Sequence, residues 1–271
     1  MIKVSHHFAR IAPVYRQVRT TDLEPIVFIK KKLRRRKKMV GADVGCGAGR
    51  YTLKLLQHCG KRLFLYCIDA SSAMLRELED YLKKNGMKNF QPLRRVIGKI
   101  PLADNTLDCI FTFNAIHHLP ASLFFSESSR TLKPNGYLFI YTRLRSQNRT
   151  NIWGRYFPYF YQKETRLFSL NKIKTLIRQT PGLRMESIQY FSYYRTASLD
   201  WLLTQAKRRH YSTFCLYTRD EFKRGLVQFK ENIRRRFPDL NKINWLDENT
   251  LLVIRKQGRV KTNKQILLPI S

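Results

Sequence analysis

The chain has 271 residues, 43% of them apolar, with only 12 glycines and 10 prolines. That length and composition suit one large α/β domain with appendages, and exclude a disordered, collagen-like or low-complexity chain. Lys and Arg total 52 against 19 Asp and Glu, a net charge of +33; this predicts attraction to polyanions such as RNA, DNA, anionic lipid or acidic protein, and says nothing of fold.

No apolar run approaches the roughly 20 residues that a membrane helix needs. Residues 1–10 lack the apolar centre of a secretory signal. The five cysteines are odd in number and none is spaced C-x-x-C. Disulfide frameworks and zinc sites are therefore not expected, no metal is expected, and a reducing cytoplasm is the expected compartment.

Residues 1–38 hold 12 basic and 2 acidic residues, 39–150 hold 16 and 8, and 151–271 hold 24 and 9, so the middle third is closest to an ordinary domain. It is also the most periodic. Met39 to Val44 reads as a short apolar strand ending at a Gly-rich turn, followed by a helix from Arg50 to Cys59. Arg62 to Ile68 is a buried-type strand. Ser71 or Ser72 caps a helix running to about Lys84, with Gly86 as the stop. Phe90 to Ile97 reads as a third strand and Asp108 to Phe113 as a fourth. A helix from about Ala121 to Leu132 ends at the turn signal Lys133-Pro134-Asn135-Gly136, and Tyr137 to Tyr141 is the fifth strand. Strands and helices alternating at this spacing imply βαβ units in a doubly wound, mostly parallel sheet with helices on both faces.

Beyond this, Leu170 to Thr180 reads as a helix stopped by Pro181-Gly182, and Leu183 to Tyr194 as a strand. Thr218-Arg219-Asp220-Glu221 fits a capping box. The helix behind it places Phe222, Leu226, Phe229 and Ile233 on one face, and Asn249 to Arg255 reads as the last strand. The expected organisation is an N-terminal lid segment with a basic run (1–38), a core (39–194, with a substrate lid at 145–170), a basic helical insertion before the last strand (195–247), and a final strand and tail (248–271).

The chemistry is concentrated in Asp43-Val44-Gly45-Cys46-Gly47-Ala48-Gly49, which follows the first strand and opens a helix. Glycines there permit a tight turn and close approach of a ligand to backbone N–H groups. Asp69 ends the next strand, 20 residues beyond Gly49. In a doubly wound sheet it sits beside that turn, where it can accept hydrogen bonds from two ribose hydroxyls. The spacing is G-x-G-x-G, not the G-x-G-x-x-G that cradles a pyrophosphate. Asp43 suits a ligand bearing an ammonium group. S-adenosylmethionine has an ammonium, a ribose and no pyrophosphate.

These residues resemble class I S-adenosylmethionine-dependent methyltransferases, in particular the group that includes the ubiquinone/menaquinone-biosynthesis C-methyltransferases. DVGCGAGR (43–50) is similar to the family's first motif and CIDASSAML (67–75) to its second-strand motif. IPLADNTLDCI (100–110), NAIHHL (114–119), LKPNGYLFI (132–140) and HFARIAPVYR (7–16) are similar to further family segments. The resemblance covers about residues 7–141 and implies a seven-stranded sheet. It implies that the backbone around Gly45, Cys46, Gly47 and Gly49 lines the methionine moiety, with Asp43 at its ammonium. Asp69 and Ala70 would lie at the ribose, Met74, Ile97 and Gly98 near adenine, Asn114 and Ala115 at the methyl donor, and Tyr15 over the cofactor. Relatives often carry an acid at the end of strand three, where this chain has Val96 or Ile97, and Asp after the tyrosine, where it has Arg16.

His117 and His118 follow strand four and are the candidate general bases, because histidine titrates near neutrality; the competing reading is a cap or packing role. Aromatics interleaved with cations over 151–168, including Trp153, Tyr156 and Tyr159, are candidates for substrate binding, for base stacking, or for a lid packed on the sheet. Lys30 to Lys38 holds eight cations in nine residues directly before the first strand. That places it at the edge opposite the cofactor turn, as a docking or solvated patch and not a catalytic groove. The expected activity is methyl transfer to a small or medium-sized organic substrate. The alternatives are an RNA methyltransferase using the basic surface, and a catalytically silent cofactor- or RNA-binding protein.

Overall fold

The computed structural model describes Ala12 and residues 20–95 and 100–258. Its centre is a seven-stranded sheet in the order β3-β2-β1-β4-β5-β7-β6. The strands are β1 (Met39–Val44), β2 (Leu63–Asp69), β3 (Phe90–Arg94), β4 (Leu107–Phe113), β5 (Leu132–Thr142), β6 (Leu183–Ala197) and β7 (Ile243–Lys256). The first five pair in parallel, whereas β7 runs antiparallel to both β5 and β6. The sheet is therefore mixed: six strands run the same way, as a mostly parallel sheet requires, and β7 opposes them. The last two strands are joined by a return connection that lets β7 slot between β5 and β6.

The helices are α1 (Glu24–Lys32), α2 (Arg50–Cys59), α3 (Ser72–Lys84), α4 (Ala121–Thr131), α5 (Arg145–Thr150), α6 (Ile152–Tyr156), α7 (Phe160–Lys163), α8 (Leu170–Arg178), α9 (Leu199–Lys207) and α10 (Arg219–Arg236). Because successive strand side chains point to opposite faces, Phe111 and Phe139 pack under α1 and α2 while Ile110 and Ile140 pack under α4 and α8. A third apolar cluster lies off the sheet. There Trp153, Phe157 and Phe160 of the 151–168 stretch meet Leu202, Phe214, Phe229 and Ile233.

Sequence and structure agree most closely where a cap or glycine fixes a boundary. Ser71 caps α3 by accepting from the Met74 N–H, and Gly86 takes φ +72° just beyond its end. Thr218 and Glu221 close the capping box of α10. On α10 the buried positions are Phe222, Gly225, Phe229 and Ile233, with Leu226 only half-buried, because the Phe157 ring packs against Gly225.

Four boundaries move. β3 ends at Arg94, and residues 96–99 lie outside the described residues. The Lys133–Gly136 turn is an irregularity inside β5: the partner of Leu107 is Leu132 and that of Cys109 is Tyr137, with Asn135 at φ +65°. β6 and β7 are longer than their apolar cores suggest, so the helical segment between them is 198–242 and not 195–247. Past Thr142, where β5 stops opposite Thr250, these two strands continue as a two-stranded ribbon from Phe191↔Asn249 to Ala197↔Ile243.

The basic run sits at the amino edge, as its position before β1 predicts. Arg36 bonds Asp108 at the start of β4 and the Asn135 carbonyl, and Arg62 donates to the Arg34 and Arg36 carbonyls. No described helix is long and apolar enough to cross a membrane.

Candidate functional site

The Gly-rich turn is built at the carboxyl end of β1. Gly45, Gly47 and Gly49 have φ of +75°, +54° and +81°, a region that side chains rarely adopt. A Cβ on Gly45 would lie 2.5 Å from the Ala115 Cβ, so the turn and the chain leaving β4 touch backbone to side chain. Gly45 and Cys46 donate their N–H groups to the Ile68 carbonyl, at 2.8 and 3.3 Å, which locks the turn to β2.

Two aspartates flank the turn. Asp69 accepts the Gly47 N–H on Oδ2 and the Ser71 N–H on Oδ1, both at 2.9 Å. Each oxygen keeps a further lone pair for a ligand hydroxyl. Burial pushes its carboxyl up from the usual carboxylate range. Asp43 is 1% exposed; its Oδ2 accepts from Thr52 at 2.6 Å, and its Oδ1 has no hydrogen-bond partner among the described residues. Burial, which outweighs the Thr52 hydrogen bond, and the nearby Asp69 charge push Asp43 up to about 7. A buried carboxylate oxygen with no donor is costly. An ammonium group placed there would satisfy it and restore the charge. Met74 is buried with Ala12, Ala48 and the half-buried Ala73, so the N-terminal segment reaches the turn at Ala12.

Beside the turn, at the carboxyl edge of the sheet, lies a cavity of about 270 Å³. Asn114, His117 and His118 line it from the chain after β4, Arg143 from the end of β5, and Arg195, Trp245 and Asp247 from the β6–β7 ribbon. Asn114 holds φ +53° while its N–H donates to the Tyr141 carbonyl at 2.7 Å, which turns the chain toward the cavity. The two histidine rings are 4.0 Å apart. All 3 tryptophans of the chain, Trp153, Trp201 and Trp245, contribute to the wall.

Charged groups in the wall are paired. Arg143 pairs with Asp247, and also donates to Tyr211 Oη at 3.2 Å and to the Glu248 carbonyl at 3.4 Å. Arg195 pairs with Asp22, whose other oxygen accepts from Tyr141 Oη at 2.6 Å. Glu164 is held by Arg166 and accepts from Thr213 at 2.6 Å.

Of the residues singled out in sequence, the structure brings Asp43, Gly45, Cys46, Gly47, Gly49, Asp69, Ala70 and Met74 around one turn. Asn114, Ala115, His117 and His118 stand between it and the cavity. Tyr15, Ile97 and Gly98 lie outside the described residues. Of the three aromatics, Trp153 reaches the cavity. Tyr156 instead packs against Phe237, and Tyr159 is 68% exposed and does not line the cavity. Phe157 and Phe160 are core, so most of the 151–168 stretch is a packed lid and not a stacking platform. Sequence reading missed Arg143, Asn148, Arg195, Trp201, Trp245 and Asp247. Trp201 and Trp245 had one available signal, rarity of type, since the chain has 3 tryptophans; Arg143, Asn148, Arg195 and Asp247 had no local signal.

The turn, Asp69 and Asn114 all lie on the segment from β1 through β5. This segment, residues 42–140, matches a methyltransferase domain. The chain is 26% identical over 159 residues to a demethylmenaquinone methyltransferase of Geobacillus stearothermophilus, covering 58% of this chain and 66% of that one. It is 29% identical over 112 residues to an uncharacterized methyltransferase of Emericella nidulans, covering 36% and 39%. The matches thus span less than two thirds of the length of either relative. A solved structure from Anabaena variabilis, described as a candidate methyltransferase of an antibiotic biosynthesis pathway, shares the fold. Its TM-score is 0.65 at 20% identity, covering 87% of this chain and 99% of that one.

Proposed function

We propose that the protein transfers a methyl group from S-adenosylmethionine to a small or medium-sized organic molecule held in the cavity beneath the β6–β7 ribbon. S-adenosylmethionine, when bound, supplies a methyl group already activated on a sulfonium sulfur. The chain's own residues have to align the partners and exclude water. The observation that carries the reading is the buried Asp43 Oδ1, without a hydrogen-bond partner among the described residues, beside three left-handed glycines that touch, through Gly45 and Ala115, the chain that enters the cavity.

In this reading Asp43 faces the ammonium, and the backbone of Gly45, Cys46, Gly47 and Gly49 lines the methionine part. Asp69 and Ala70 hold the ribose, Met74, Ile97 and Gly98 lie at the adenine, and Tyr15 covers the cofactor. Asn114 and Ala115 separate cofactor from cavity. His117 and His118 are placed to take a proton from an acceptor group in the cavity, since both line it. Residues 39–194 form the core, 1–38 an N-terminal segment, and 198–242 a helical addition that walls the cavity with Trp201 and Tyr211. We place the protein in a reducing compartment such as the cytoplasm; none of its five cysteines forms a disulfide among the described residues.

The test is labelled-methyl transfer from S-adenosylmethionine into a cell extract separated into small molecules, lipid, RNA and protein. Label is expected in the small-molecule fraction. Label confined to RNA or protein would overturn the proposal.

A further inference from the structure

The cavity wall holds a surplus of hydrogen-bond donors between flat aromatic faces. Its three carboxylates are consumed internally: Asp22 by Arg195 and Tyr141, Glu164 by Arg166 and Thr213, Asp247 by Arg143. The donors are not. Arg195 spends Nη2 on Asp22, and its Nε and Nη1 meet no acceptor among the described residues. Asn148 is 3% exposed; its Oδ1 accepts from Asn151 at 3.2 Å, and its Nδ2 has no partner among the described residues. A buried donor without an acceptor is costly unless a ligand supplies one.

Arg195 is held in place for this task. It stands on the β6–β7 ribbon opposite Trp245 in the strand register, with its guanidinium 4.6 Å from the centre of the Tyr193 ring. Its pair with Asp22 fixes one edge of the guanidinium fork and leaves the rest of it available. A guanidinium presents a planar set of donors that matches a carboxylate or similar oxyanion. Trp153, Trp201 and Trp245 supply π faces around the same space. A cavity near 270 Å³ lies just below the usual range for small-molecule sites, about 300 Å³ upward, and so suits a molecule of one or two rings. The +33 charge favours the arrival of an anion, and repels a cation, from any direction.

From these observations we propose that the acceptor molecule is a flat ring carrying an anionic oxygen group, gripped by Arg195 between the tryptophans. Arg195 is then the residue that sets the preference for a charged over a neutral ring. The inference rests on the methyl-transfer reading for the word acceptor, but its test does not depend on turnover.

The placement of every tryptophan at the cavity makes intrinsic fluorescence a local reporter. Cofactor binding is measured first, by calorimetry with S-adenosylhomocysteine, and failure there counts against the proposed function alone. With the full chain saturated with S-adenosylhomocysteine, three probes are titrated: benzoate, benzamide and cyclohexanecarboxylate. Benzoate is expected to quench saturably and to bind at least about tenfold tighter than benzamide, the scale of a hydrogen-bonded charge. Cyclohexanecarboxylate, which has the charge but not the flat ring, is expected to bind more weakly than benzoate.

R195Q is expected to erase the benzoate-over-benzamide preference while benzamide binding persists; R195K, which keeps the charge and the Asp22 pair, is expected to retain part of it. Equal binding of benzoate and benzamide, absence of saturable quenching, or an unchanged preference in R195Q would each overturn the inference. If R195Q fails to fold, the comparison of R195K with the unaltered chain decides: an unchanged preference ratio counts against Arg195, and a reduced one supports it.

Discussion

Asp69 Oδ2 accepts the backbone N–H of Gly47 at 2.9 Å, so the acid that closes β2 also fastens the glycine turn that closes β1. The two halves of the proposed cofactor cradle are thereby one unit, with Asp69 Oδ1 tying in the Ser71 N–H that begins α3. Removing the carboxylate acts twice, on the ligand hydroxyls and on the turn. D69A is expected to weaken S-adenosylmethionine binding by about 2–3 kcal/mol, a hundredfold by calorimetry. D69N, which can still accept from the Gly47 N–H, is expected to lose less. Equal affinity in D69A and the unaltered chain would remove Asp69 from the site.

In the proposed function Asp43 links cofactor binding to pH. Its carboxyl is pushed up to about 7 by burial, against a usual 3.8. Between those values the folded chain binds more protons at this site than the unfolded chain. Its contribution therefore lowers stability as pH rises through that interval. A cation bound beside Asp43 favours the ionised form, so affinity for S-adenosylmethionine is expected to climb from pH 5 to about 7. It is expected to fall again above about 8, where an α-amino group loses its proton. Calorimetry in buffers of different ionisation heat should show close to one proton released at pH 6 and little at pH 8. In D43N the rising limb and the proton release should both vanish; their persistence would reassign them to another group.

Gly45 tolerates no side chain. Its φ of +75° and the 2.5 Å approach of a built Cβ to the Ala115 Cβ act together. G45A is expected to destabilise the fold by about 2–3 kcal/mol and to displace the chain that carries Asn114 and the two histidines. Pairing it with A115G should recover part of the loss, leaving the φ strain. The measurement is thermal unfolding of the two single variants and the double variant. Strict additivity would show that the two positions do not meet.

The legible parts of this protein are those fixed by local chemistry. Met39–Val44 and Arg50–Cys59 could be placed from the apolar run and the glycines between them, and Asp43 and Asp69 from their positions at strand ends. The cavity was not legible. Its wall gathers residues from 114, 143, 195 and 245, which only the sheet order brings together. β6 and β7 were underestimated at their outer ends because the ribbon is half exposed, so polar residues such as Ser192, Thr196, Asn244 and Asp247 interrupt the apolar pattern. Conversely, the aromatics at 157 and 160 looked available for a ligand, yet the rings that pack on them come from Tyr211, Phe214 and Tyr217 and from Phe222 and Phe229 of α10, far along the chain.

Arg143 is the tether that holds the ribbon over the cavity. It leaves the end of β5 and reaches across to Asp247 and the Glu248 carbonyl of β7 and to Tyr211 of the 198–242 segment. At 8% exposure, it cannot be truncated without leaving Asp247, whose side chain is 16% exposed, nearly buried and unpaired. Breaking such a pair costs about 3–5 kcal/mol. At about 2–4 °C per kcal/mol for a chain of this size, R143A is expected to lower Tm by roughly 10 °C. Amide exchange should locate the loss. Protection should fall in residues 191–197 and 243–249 while the β1–β5 core keeps its own, because the core's contacts do not pass through Arg143. The double variant R143M/D247L replaces the pair with apolar groups and should recover stability while losing the polar tether. A Tm for R143A within about 2 °C of the unaltered chain, with ribbon exchange unchanged, would show that the ribbon is held by its strand pairing alone.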